Sequence, residues 1–246
     1  EKICQTPGAP GYEQKIRTLI LSRIGGLGVQ VRAYNMGNIY ALKKGKSDKK
    51  VMIGAHMDEI GFIVTHIDDN GFIRFHTLGG FDPKTLTAQR VIIHGEEEDV
   101  MGVMAAKPIH VMTQEERNKN PKITDYFIDT GRPKEAVEAL VKVGDPITRE
   151  RSFIQMGDCV NSKSLDNRLA VYILIETLKS LKNKVVPYDI YGVFTVQEEV
   201  GIRGANVSAL KIRPDFGFGL DTTIAYDLPG ASAHEKITSL GAGTAI

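Results

Sequence analysis

The stretch Val51–Gly61, V-M-I-G-A-H-M-D-E-I-G, decides how the rest of the chain is read. Val51, Met52 and Ile53 form an apolar run of strand character leading into Gly54 and Ala55, small residues that let neighbouring backbone approach closely. The run delivers His56, Asp58 and Glu59, polar groups that a buried strand end tolerates only when they are satisfied. His56 and Asp58 are two apart, so in extended chain they point to the same side. That suits a histidine holding a metal through one ring nitrogen while a carboxylate holds the other ring N–H. A histidine hydrogen-bonded within the core fits the same residues. The rest of the chain has to separate the two.

At 246 residues and 42% hydrophobic, the chain can bury a sizeable core in one or two domains. Lys plus Arg is 31 against 30 for Asp plus Glu, a net +1, and no basic stripe carries interleaved aromatics. Nucleic acid is therefore not the expected partner. No uncharged apolar run approaches the length of a membrane span, so no membrane partner is expected. Cys4 and Cys159 lie far apart and form no C-x-x-C pair, which points to a reducing, cytoplasmic compartment. Asn206-Val207-Ser208 matches a glycosylation sequon as easily by chance as by purpose. The first residue is Glu1, and no signal-like segment follows. Leu240–Ile246 runs into what reads as a new apolar strand, so the sequence is expected to be a piece of a longer chain.

Working outward, Ile16, Leu19, Ile20 and Ile24 follow helical spacing and Gly25-Gly26 ends that helix. Val29–Tyr34 and Asn38–Lys43 read as a hairpin around Met36-Gly37. From residue 62 to residue 153 short strands and turns dominate. Asp69-Asn70-Gly71-Phe72 signals a type I′ hairpin, which pairs His66 with Phe75 and His76 with Thr65. The two histidines then fall on opposite faces and cannot share a metal. Further strands are expected at Arg90–His94 and Val100–Ala105, joined through the acidic turn Gly95–Asp99, with a helix over Pro133–Val143. After Gly157, a helix is expected over Leu165–Leu181, too apolar at Leu169, Tyr172, Ile173, Leu174, Ile175 and Leu178 for a surface position. Strands Asp189–Val196 and Phe216–Leu220 flank a short helix near Ala205–Leu210. The expected fold is α/β with a mostly parallel sheet, formed by residues 1–61 plus 154–246 and interrupted by a β-rich insert at 62–153.

Three of these strands end in acidic or imidazole groups: His56 with Asp58, Glu198 with Glu199, and Asp221. Asp166 sits at the head of the buried helix. Each has an ordinary account taken singly; Asp166, for example, is a good N-cap. Gathered at one sheet edge, so many carboxylates repel unless cations neutralise them. With one histidine and several carboxylates, the fitting occupant is a pair of divalent transition metals: zinc, cobalt or manganese. Glu198 and Glu199 are neighbours, so both reach one crevice only beyond the end of their strand, where Gly201 permits a bend. A glycosidase needs its carboxylates facing each other across a sugar at about 5–9.5 Å. Adjacent glutamates suit one metal ligand plus one general base instead.

Ala55–Gly61, Lys163-Ser-Leu-Asp-Asn-Arg168, Gln197-Glu-Glu-Val-Gly201, Arg203-Gly-Ala205 and Leu220-Asp-Thr-Thr223 resemble the tetrahedral, TET-type metallo-aminopeptidases. These are relatives of glutamyl and deblocking aminopeptidases, some of which carry a misleading cellulase label. Lys107-Pro-Ile-His110, Val143-Gly-Asp-Pro146 and Pro229-Gly230 extend the resemblance over essentially the whole chain. It implies a phosphorylase/hydrolase-like catalytic domain carrying a barrel-like insert that builds dimers, which assemble into dodecamers. It also implies that His56 and Asp221 hold one metal, Glu199 the other, and that Asp166 bridges both. Asp58 would orient His56 and Glu198 would be the general base, acting on short peptide substrates.

The sequence departs from the family in one respect. The second metal of the family takes a histidine well downstream of the Asp221 position, whereas the only histidine after Asp166 here is His234, which reads as surface or structural. Two other functions share the site: an N-acyl amino acid deacylase with the same metals, and a catalytically impaired protein that binds metal or peptide within an assembly.

Overall fold

The computed structural model describes residues 1–246. A short α1 (Lys2–Gln5) precedes α2 (Gln14–Ile24), whose Ile16, Ile20 and Ile24 form a fully buried stripe at helical spacing. Strands β1 (Gln30–Ala33) and β2 (Ile39–Lys43) make the expected hairpin, followed by β3 (Lys50–His56). Six strands come next: β4 (Gly61–Ile67), β5 (Ile73–Leu78), β6 (Arg90–His94), β7 (Asp99–Ala106), β8 (Tyr126–Asp129) and β9 (Pro146–Arg149). Short helices α3 (Gln114–Arg117) and α4 (Lys134–Glu138) fall among them. The chain continues through β10 (Ile154–Met156), β11 (Cys159–Asn161), α5 (Leu165–Ser180), β12 (Asp189–Thr195), α6 (Arg203–Ile212) and β13 (Phe216–Gly219).

Two sheets result. The larger has the order β1-β2-β12-β3-β13, with β12 and β13 both parallel to β3. The β1–β2 and β2–β12 pairings are antiparallel, so the sheet is mixed rather than mostly parallel. A tight hairpin turn leaves β1 and β2 no other choice. Ile39, Ala41, Ala55 and Phe194 face α2 and α5 on one side; Tyr40, Met52 and Val193 face Ile212 of α6 on the other. This three-layer packing buries or half-buries β2, β3 and β12, leaves the outer strands β1 and β13 exposed, and leaves the strand ends as a crevice.

The other sheet is a closed barrel in the order β4-β5-β8-β7-β6-β9. Alternation dictates it: along β7, Val100 and Met104 point inward while Met101 and Val103 are exposed. Phe62, at the centre of the barrel core, stacks on Phe81 and meets Phe75 edge-on. Gly102 is required in this narrow interior, because a Cβ there would lie 2.5 Å from Ile128.

Five local expectations need correction. The β4–β5 loop is not type I′: Gly71 alone has positive φ (+86°), while the Gly71 N–H donates to the Asp68 carbonyl and Asp68 Oδ1 accepts from the N–H groups of Asn70 and Phe72. A bulge between Val64 and His66 then pairs His66 with Arg74 and His76 with Ile63, so both histidines lie on the exposed outer face. Neither joins a group of possible metal ligands. Helix α4 stops at Glu138, and Leu240–Ile246 forms no strand and is exposed. Helix α5 buries Leu174, Ile175 and Leu178, but Leu169, Tyr172 and Ile173 are 47%, 53% and 45% exposed. No helix is long and apolar enough to cross a membrane.

Candidate metal centre

The register of the three parallel strands builds the site. Thr195 of β12 pairs with His56, and Gly219 of β13 pairs with Gly54, so continuing β13 by two residues brings Asp221 level with His56. The Met57 N–H donates to the Thr195 carbonyl, and the Leu220 N–H donates to the Gly54 carbonyl. The strand ends are thereby fixed against one another.

The loop after β12 must turn both glutamates into one crevice, and it does so at Gln197, whose φ is +54°. That left-handed backbone costs a residue with a Cβ about 1–2 kcal/mol. Three buried side chains hold it. Asn38 Oδ1 accepts from the Val196 N–H (3.0 Å), Glu13 Oε1 from the Gln197 N–H (3.1 Å), and Asp58 from two consecutive N–H groups. Asp58 Oδ1 takes the Glu198 N–H and Oδ2 takes the Glu199 N–H, each at 3.1 Å. Asp58 therefore braces the glutamate loop as well as lying beside His56, whose Nδ1 is 3.4 Å from Oδ1. The Asp58 backbone carbonyl is nearer still to Nδ1, at 3.2 Å. With Nδ1 occupied in this way, Nε2 is the nitrogen presented to the crevice.

His56 Nε2 lies 3.1 Å from Asp166 Oδ1, 3.8 Å from Glu198 Oε2 and 4.0 Å from Asp221 Oδ1. Two groups of donor atoms result, each gathered within 4.8 Å: His56, Asp166 and Asp221 in one, His56, Glu198 and Glu199 in the other. The first combines the residues expected to hold one metal with the expected bridge. The second sets Glu199 beside Glu198, its expected base. Asp58 lies behind both. One imidazole nitrogen among carboxylate oxygens is a donor set that suits a divalent metal ion. His234, by contrast, is exposed on a separate turn.

Helix α5 supplies Asp166 from an irregular start. Ser164 is left-handed (φ +60°, ψ 20°), and Asp166 (ψ 111°) and Asn167 (φ −118°) are not helical. Asn167 Nδ2 donates to the Leu220 carbonyl at 2.8 Å and so ties Asp166 to the residue before Asp221. A cavity of about 420 Å³ opens from His56, Glu198 and Asp221 and is walled by Met52, Ile202 and Phe218.

Titration follows from this crowding. Burial pulls the His56 imidazole down, but the carboxylates of Asp166, Asp58 and Glu198 outweigh it and raise its pKa to about 10. Burial, then repulsion from Asp166, raises Glu199 to about 7. Glu198 is raised by burial and by Asp58, Asp221 and Asp166, against His56. In the metal-free chain His56 thus carries a proton that a metal must displace. Metal affinity should rise with pH from 6 to 9, with about one proton released per chain above pH 7.5 and a second, from Glu199, below pH 7. Calorimetric titration in buffers of different ionisation enthalpy measures the number; no proton release at pH 8 would remove His56 from the donor set. The same His56 shift stabilises the metal-free fold fully below its unfolded value near 6.5, and that contribution is lost as pH rises through 10.

Sequence reasoning missed the supports: Glu13, Asn38, and the group formed by Glu59, Lys163 and Ser164. Only Glu59 carried a signal, as a charged residue just after an apolar strand; Glu13, Lys163 and Ser164 sit among other polar residues and look like surface.

An α/β sheet edge bearing a carboxylate-rich, one-histidine donor set, with a barrel spliced between two of its strands, is the architecture of a metallopeptidase. The M42 glutamyl aminopeptidase profile matches residues 37–246, and the chain belongs to that family. It is 35% identical over 231 residues to the lysyl aminopeptidase of Pyrococcus furiosus, covering 92% of this chain and 66% of that protein. The TET aminopeptidase from the marine sediment archaeon Thaumarchaeota archaeon SCGC AB-539-E09 superposes with a TM-score of 0.94 at 33% identity, covering 98% of this chain and 69% of that one. The TET1 peptidase of Pyrococcus horikoshii, which can assemble into a tetrahedron or a large octahedral shell, superposes with a TM-score of 0.82 at 33% identity, covering 89% and 66%. The chain spans about two thirds of the length of these relatives.

Proposed function

We propose that the chain hydrolyses the first peptide bond of short peptides at a site for two divalent metals. The observation that carries this reading is the convergence of His56, Asp166, Glu198, Glu199 and Asp221 on one strand-end crevice. His56 and Asp221 would hold one metal, Glu199 the other, and Asp166 both; zinc or cobalt suits these donors best, with manganese possible. When bound, such metals supply Lewis-acid polarisation of the scissile carbonyl and acidify water to near neutral pH.

The chain's own groups do the rest. Glu198 is not needed as a ligand in this scheme, and burial and acidic neighbours raise its proton affinity. It takes the proton of the attacking water and delivers it to the departing amine. Asp58 keeps Nε2 of His56 facing the crevice and holds the Glu198 backbone in place. The cavity walled by Met52, Ile202 and Phe218 offers the side chain of the first residue an apolar surface.

Residues 1–61 and 154–246 form the catalytic unit in this reading, and 62–153 an insert that pairs subunits. Met101, Val103, Ile109 and Val111 are exposed apolar residues in that insert, as a self-association surface requires. Dimers would assemble further, up to a dodecamer.

Aminoacyl-anilides and peptides with free amino termini should be cleaved, whereas N-acyl amino acids and blocked peptides should not. Preference for N-acyl amino acids would replace this reading with a deacylase.

A further inference from the structure

Glu59 follows Asp58 directly, is fully buried, and belongs to neither group of candidate ligands. Apart from its bonds to Gly8, its contacts run toward the segment that carries Asp166. Oε1 accepts from Lys163 Nζ at 2.6 Å and from the Gly8 N–H at 3.2 Å. Oε2 accepts from Lys163 Nζ at 2.8 Å and from the Ser164 hydroxyl at 2.6 Å. Arg168 Nη2 stands 3.7 Å from Oε1, while its Nη1 donates to the carbonyls of Ile3 and Thr6. Lys163, Ser164 and Arg168 are all buried.

The geometry of Ser164 shows what this network holds. Its φ of +60° is one that residues with a Cβ rarely adopt. From there the chain passes through Leu165 to an extended Asp166, and only then settles into regular helix. Had the helix begun at Leu165 with ordinary dihedrals, Asp166 would lie on the helix surface instead of projecting 3.1 Å from His56. Short, charge-assisted bonds from a carboxylate fixed on β3's exit are the means of keeping Ser164 in that conformation.

We propose that Glu59 is a positioning residue that presents Asp166 to the metals through Ser164 and Lys163. Asp58 and Glu59 then act as a paired brace: Asp58 holds the Glu198–Glu199 arm, and Glu59 holds the Asp166 arm. The proposal rests on the two-metal reading above for the metals themselves.

The test measures zinc affinity and stoichiometry of the full chain by competition with a chromophoric chelator, alongside melting of the metal-free protein. Glu59→Gln and Ser164→Ala should each weaken zinc binding by about 10–100-fold, the range for losing an outer support of a ligand, and Ser164→Gly should weaken it less. Both metals should be affected, since Asp166 bridges them. Glu59→Gln leaves Lys163 and Arg168 without their buried counter-charge and can fail to fold. Ser164→Ala then decides, because alanine removes only the hydroxyl and keeps the Cβ that disfavours the left-handed backbone, whereas glycine accepts that backbone without the hydroxyl. Folded Ser164→Ala with wild-type zinc affinity, or Ser164→Gly no tighter than Ser164→Ala, overturns the proposal, even if the melting temperature falls. Wild-type chain that binds two zinc ions while the variants match it leaves the two-metal reading standing; wild-type chain that binds none removes that reading and this proposal together.

Discussion

Glu198→Gln is expected to lower kcat by about 10²–10⁴-fold, the contribution of a positioned general base, which corresponds to roughly 3–5 kcal/mol of barrier. Glutamine keeps the size of the side chain and its hydrogen-bonding oxygen, and the backbone N–H still donates to Asp58 at 3.1 Å. Its amide cannot accept a proton from water. Metal content and melting temperature should therefore stay at wild-type values while turnover is lost. KM should change little, because the group acts on the proton in flight and not on the bound ground state. Steady-state kinetics on an aminoacyl-anilide, with metal analysis of the same preparation, make the comparison. Unchanged kcat would remove Glu198 as the base.

Asp166→Ala is expected to empty the site. Asp166 is the carboxylate nearest His56 Nε2, and it is the neighbour that most strongly raises Glu199 after burial itself. In the proposed two-metal scheme Asp166 is the ligand shared by both ions, so its loss should weaken both. The effect should exceed the roughly 10–100-fold typical of an outer support. Asp221→Ala is the useful contrast, since the same scheme gives Asp221 a single metal. It should cost one metal and leave the other. Metal analysis after dialysis in metal-buffered solution distinguishes the two; retention of two ions by Asp166→Ala would contradict the bridging role.

Much of the fold could be read from periodicity. The Ile16, Ile20 and Ile24 stripe and the alternation of Val100, Gly102 and Met104 each have one packing solution, because burying an apolar stripe fixes which side faces the core. What escaped was irregular. A single bulge between Val64 and His66 reverses the face of everything beyond it, and no residue pattern announces it. Likewise, an apolar residue on α5 looks the same in sequence whether buried, as Leu174 is, or half exposed, as Leu169 is. The order of β2 and β12 was also hidden, since it depends on a pairing between segments almost 150 residues apart.

The candidate site divides along the same line. Residue chemistry and strand-end placement by themselves pointed to His56, Asp58, Asp166, Glu198, Glu199 and Asp221, because polar groups at buried strand ends have few roles open to them. The family followed from those same short motifs. Which oxygen lies beside which nitrogen came only from the parallel register of β12, β3 and β13 and from the left-handed backbone at Ser164 and Gln197. So did the supports: Asp58 on two backbone N–H groups, and Glu59 on Lys163 and Ser164. Those contacts join segments more than 100 residues apart. Sequence proximity carries no information about them; the packing of three layers does.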